Sequence, residues 1–190
     1  SDLNLGGVVF GHSLAVSCRK KRRVSTLLIG EPSINRVYRY VSTGSNFGSK
    51  QFVFDATMTV PEAIRDSHRF GYSLAIDNEV MVIGAPGLEA IYIYKQVFDS
   101  SVNVWTWSNP VVHRSSDYDY DIVTNGQVLV HRQDFGHAVA ISGRTIIVGS
   151  PFADYQNLGR TDVVENYDSE GVSIRSIAKG KVYMFYSAPS

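Results

Sequence analysis

An all-β fold is predicted by three signatures that recur in fixed order: a Phe-Gly pair, a Gly-x-Pro strand end and a tyrosine-rich alternating strand. The pairs are Phe10-Gly11, Phe70-Gly71 and Phe135-Gly136, spaced by 60 and then 65 residues. The strand ends are "LLIGEP" to Pro32, "MVIGAP" to Pro86 and "IIVGSP" to Pro151. The tyrosine-rich strands are "NRVYRY" from Asn35, "AIYIYK" from Ala90 and "GKVYMFY" from Gly180. Ordered repeats take precedence over any other feature, because each unit shares its core with its neighbours. Helical periodicity is nowhere sustained.

Each unit reads as four strands. In the second, "YSLAI" alternates and closes at the Asp77-Asn78 turn, "VMVI" follows and ends at Gly-Ala-Pro, "IYIYK" comes third and "VNVWTW" last. Gly11, Gly30, Gly71, Gly84, Gly136 and Gly149 fall at strand ends, where a missing side chain lets the backbone bend or another sheet approach. Pro32, Pro86 and Pro151 remove a ladder donor and stop the strand. The rings of Phe10, Phe70 and Phe135 are expected to be buried between neighbouring sheets.

Taken together, "FGHAVAISGRTIIVGSP" with "GKVYMFY" and "FGYSLAIDNEVMVIGAPG" with "AIYIYK" resemble the FG-GAP repeats of integrin α-subunit β-propellers, most closely the bacterial and protist variety. The first unit is a looser match. The resemblance implies three four-stranded blades within one domain over residues 1–190: approximately 8–60, 68–112 and 133–190, with insertions at about 112–134 and 152–178. A propeller closes with roughly four to eight blades, and FG-GAP propellers typically have about seven. Three blades make an incomplete ring with edge strands at both ends. The expectation is a segment of a longer propeller, or a ring completed by neighbouring chains.

Composition narrows the function. Lysine plus arginine equals aspartate plus glutamate at 18 each, so no whole-chain field favours nucleic acid, and membrane contact is expected to be only indirect. No apolar run reaches the ~20 residues of a membrane span. The lone Cys18 excludes an internal disulfide.

Differences between units mark where partners bind, since strands carry packing and loops carry function. From phenylalanine to proline is 16 residues in units two and three but 22 in unit one, which inserts "CRKKRRVST". Arg19, Lys20, Lys21, Arg22 and Arg23 read as a nuclear localisation signal, as an anion-binding patch suited to an acidic protein or membrane surface, or as a solvated hairpin tip. In an up-and-down blade the two later insertions lie on one face, opposite that hairpin. They carry nine acidic residues against four arginines. Tyr118, Tyr120, Tyr155, Asp162, Glu165, Tyr167 and Asp168 form the candidate docking surface, tyrosine being favoured at interface hot spots; decorative loops of no specific function are the alternative.

Within the first insertion, "DYDYD" places Asp117, Asp119 and Asp121 at the alternating spacing of a calcium loop. Ile122 stands where such a loop turns on glycine, and no acid closes it. The calcium loops of the family lie between Phe-Gly and Gly-Ala-Pro, where this chain has only "SCRKKRRV", "DNEV" and "SGRT". Calcium at "DYDYD" is thus the one cofactor the sequence raises, and otherwise none is expected.

No nucleophile stands with a base, and no carboxylate pair is framed for catalysis. His12 and His137 occupy the post-glycine position that Tyr72 fills in unit two, while His68, His113 and His131 fall in loops without ligand spacing. The expected function is therefore a non-enzymatic protein-interaction or adhesion module, which the resemblance places outside the cell or at its surface. The alternative is a structural subunit locked into a large assembly, including an intracellular one.

Overall fold

The computed structural model describes residues 10–18, 25–43, 51–60, 68–115, 121–124, 127–130, 133–153 and 180–186. Among them there is no α-helix. Three antiparallel sheets follow the three sequence units, and none closes on itself.

The first sheet is a meander of β1 (Ser13–Cys18), β2 (Ser25–Glu31), β3 (Arg36–Thr43) and β4 (Gln51–Thr59), paired in chain order. The second repeats it with β5 (Ser73–Asp77), β6 (Val80–Ala85) and β7 (Ala90–Asp99), against which both β8 (Val104–Trp107) and β9 (Val111–Arg114) pair. A hairpin of β10 (Asp121–Thr124) and β11 (Gln127–Val130) follows. The third sheet holds β12 (Ala138–Ser142), β13 (Thr145–Ser150) and β14 (Lys181–Tyr186).

The fifth strand of the second sheet is the fourth strand in two pieces. Gln96 faces Trp107 while Ile93 faces Val111, so the register slips by one residue across Ser108–Pro110. Pro110 has no N–H to give the ladder. Ser108 closes the break, its Oγ accepting from Lys95 N at 3.1 Å and its N donating to Lys95 O at 2.8 Å. The first sheet bulges at the same place, where Arg39 faces Ala56, Tyr40 faces Phe54 and Asp55 is skipped. Asp55 turns its carboxylate onto Arg39. Pairing thus carries the second unit to Arg114, past the boundary expected near residue 112, and the expected loop from there to Asp134 contains a hairpin.

The sheets stack face to face. β1 packs along β5 and β5 along β12, giving two apolar layers. Phe70, Leu28, Val37, Met81, Ile83 and Tyr92 fill the first; Phe135, Val82, Ile91, Ile93, Ile146 and Val148 fill the second. Successive residues of β7 point into alternate layers. This explains why "AIYIY" is continuously apolar where a one-sided strand would alternate.

The expectation of a buried ring at each Phe-Gly pair holds for Phe70 and Phe135, both 0% exposed, and fails at Phe10, which is 55% exposed. No sheet lies in front of the first among the described residues. Pro151 is likewise exposed, whereas Pro32 and Pro86 are buried.

Candidate functional site

Each boundary between sheets is built by one device. Pro32 and Pro86 start a single 3-10 turn, after which Asn35 (φ 57°) and Glu89 (φ 51°) take the left-handed conformation. That corner aims a side chain at the next unit. Asn35 Oδ1 accepts from Phe70 N at 3.0 Å. Glu89 does more: Oε1 accepts from Gln133 N and Asp134 N, each at 2.9 Å, and Oε2 from Phe135 N at 2.7 Å. Burial pushes the Glu89 carboxyl above the usual carboxylate range; the three N–H donors oppose this, and the neighbouring Asp134 charge adds to it.

The glycine that follows each phenylalanine completes the clasp. Gly71 O accepts from Ser13 Oγ at 2.6 Å, and Gly136 O accepts from Ser73 Oγ at 2.7 Å. These carbonyls press onto the glycine of the preceding Gly-x-Pro. A Cβ on Gly30 would lie 2.2 Å from Gly71 O, and one on Gly84 would lie 2.1 Å from Gly136 O. The inserted phenylalanine meets a tyrosine of its own sheet edge to face, Phe70 on Tyr92 at 5.2 Å and Phe135 on Tyr183 at 5.0 Å. Ser73→Ala is expected to cost about 1 kcal/mol, the net value of one part-buried hydrogen bond, measured by chemical denaturation.

On the same end of the sheets a ladder of rings crosses both boundaries. The His12 ring packs tilted against Tyr72 at 4.6 Å, and Tyr72 likewise against His137 at 4.8 Å. The Arg69 guanidinium lies 5.1 Å from the Tyr72 ring centre and pairs with Asp134 at 2.7 Å. Asp134 also faces His137 Nδ1 at 3.6 Å, beyond hydrogen-bond reach. The post-glycine histidines are thus parts of the scaffold.

The roots of the two later insertions meet beside this ladder. Gln133 O accepts from Ser150 Oγ at 2.8 Å and from Phe152 N at 3.2 Å. Ser115 N donates to Glu89 O at 3.1 Å, and its hydroxyl lies 3.4 Å from Gln133 Oε1 and 3.5 Å from the Tyr183 hydroxyl. At the opposite end of β1, Cys18 pairs with Ser25, on either side of the basic residues 19–23 in the sequence. There Asn78 N donates to Ser17 Oγ and Gly143 N to Asp77, clasping the far ends of successive sheets.

Most residues singled out for binding lie outside the described residues: Arg19, Lys20, Lys21, Arg22 and Arg23, Asp117, Tyr118, Asp119 and Tyr120, and Tyr155, Asp162, Glu165, Tyr167 and Asp168. Asp121 opens β10 and pairs with Val130, so its backbone belongs to a ladder. His113, expected in a loop, lies in β9 opposite Ile91, its ring 5.2 Å from Phe185. Sequence reasoning missed the clasp residues Ser13, Asn35, Ser73 and Glu89. Their signal was a column comparison: each holds the same place in two units. The third unit has Ala138 and Gly180 there, as the pairings of Ala138 with Gly149 and Lys181 with Ser150 fix.

No known protein family and no curated protein matches the chain.

Proposed function

We propose that the chain is a non-enzymatic protein-interaction module made of three consecutive FG-GAP-type propeller blades, which present two insertions to a protein partner. The observation that carries this reading is the common root of the insertions, where Gln133 O is held by both Ser150 and Phe152. Insertions anchored at one clasped point are presented together, and a rigid base lowers the ordering entropy of binding. Their excess of acidic over basic residues and their tyrosines suit a basic protein surface. The likeness to integrin-type repeats points to adhesion or recognition outside the cell or at its surface.

Selection of displayed peptides tests the reading, using the chain and a variant whose residues 154–178 are replaced by a short Gly-Ser linker. Basic peptides enriched on the chain are expected to be lost on the variant, with the β-rich circular dichroism spectrum unchanged. Equal retention by both proteins sinks the proposal.

A second reading, a subunit locked into a larger assembly, is favoured by the apolar end faces. Val182 is 72% exposed and Met184 and Ile147 are exposed beside it on the last sheet, as Phe10, Leu14 and Val16 are on the first. Faces of this kind are normally covered.

A further inference from the structure

We infer that the open face of the first blade seats one kind of partner: another four-stranded blade with serine opening its first strand, glycine next to last in its second, and asparagine or a carboxylate residue at the left-handed corner before its third. The inference rests on the blade reading above and is independent of the acidic loop face.

The two internal junctions show what such a seat demands. Leu74 and Ile76, each 9% exposed, are covered by the first blade, while Leu14 and Val16, at the same positions one unit earlier, are 64% and 57% exposed. The Phe10-Gly11 loop already has the docked shape. Gly11 N and His12 N both donate to Gly30 O at 3.1 Å, as Gly71 N and Tyr72 N do to Gly84 O at 3.0 and 3.2 Å. The φ of Gly11 is +83°, beside +88° at Gly71 and +91° at Gly136. Phe10 lies 5.4 Å from Tyr38, where Phe70 lies 5.2 Å from Tyr92. The loop is preorganised for a preceding blade, which lowers the entropy cost of docking.

A second copy of this chain does not supply that blade. Its third unit offers Gly149, whose added Cβ would meet nothing nearer than the Ala138 Cβ at 3.4 Å. The serine of the clasp is Ala138, however, and the corner residue is Gly180. Docking there would bury the Phe10 N–H without a side-chain acceptor and the Gly11 carbonyl without its hydroxyl donor, and buried groups are rarely left so.

The test builds the missing groups. In the full chain, Ala138→Ser with Gly180→Asn restores the clasp on the third blade, asparagine being tolerated at the left-handed φ of +70° found at Gly180. Sedimentation velocity over a micromolar concentration series then reads head-to-tail association. The double variant is expected to associate with a dissociation constant at least about tenfold below that of the native chain. Adding Phe10→Ala is expected to reverse the gain. Should the double variant fail to fold, Gly180→Asn alone is expected to shift the constant in the same direction. Equal constants for native and variant chains overturn the inference, and so does Phe10-dependent self-association of the native chain as tight as the variant's. None of these substitutions touches residues 154–178, so peptide capture by the insertions succeeds or fails separately.

Discussion

Gly84→Ala is expected to destabilise the fold by about 3 kcal/mol, while Gly149→Ala, at the same motif position, leaves stability within about 0.5 kcal/mol. The added Cβ at residue 84 would lie 2.1 Å from Gly136 O and 3.1 Å from Gly136 C. Both are backbone atoms held by the φ of +91° at Gly136, and the same Cβ would lie 2.2 Å from Ser73 Oγ, so the clasp is displaced as well. Relief comes only from separating the sheets, which opens the layer around Phe135 and Ile91. At Gly149 no next sheet presses, and the Cβ makes ordinary contact with Ala138. Chemical denaturation of the two variants measures the difference. Equal costs would mean that strand conformation, rather than sheet-to-sheet approach, requires the glycine.

Glu89→Ala is expected to cost about 4 kcal/mol, because three backbone N–H donors at Gln133, Asp134 and Phe135 lose their acceptor in a buried place. The loss should be local as well as global, loosening the Phe135 loop before the rest of the third sheet. Glu89→Gln separates charge from shape. It retains one oxygen but turns an NH2 toward a donor, so a smaller loss is expected, together with a changed pH response. The folded carboxyl titrates above its ordinary range, so its contribution is fully present below that range and falls as the pH rises through the raised value. Glu89→Gln cannot titrate and should lack this fall. Identical pH profiles for the native chain and Glu89→Gln would contradict the assignment.

The repeat was legible because glycine, proline and tyrosine hold positions where backbone geometry admits little else. Gly30 and Gly84 are bare for a neighbour's carbonyl, and Pro32 and Pro86 open the turn that sets the clasp. The two-piece fourth strand of the second unit was harder to read, since Ser108–Pro110 resembles a loop whereas pairing resumes at Val111. The clasp residues were overlooked because an asparagine, a glutamate and two serines carry no periodicity, and their meaning appears only when units are superposed. Phe10 misled for the converse reason. Sequence shows that a ring is suited to burial, while burial itself depends on the sheet in front of it. The basic hairpin and acidic insertions vary from unit to unit, so no internal copy fixes their geometry.

Successive sheets are locked by the amide of each buried Phe-Gly phenylalanine, and hydrogen exchange read by NMR at Phe70 and Phe135 checks this lock. Both amides are held by side chains of the preceding sheet, Asn35 and Glu89. Protection close to that of the central strands β6 and β13, lost at Phe135 in Glu89→Ala, is the expected result. Exchange of both amides as fast as in an open loop would contradict the stacked arrangement and the reading built on it.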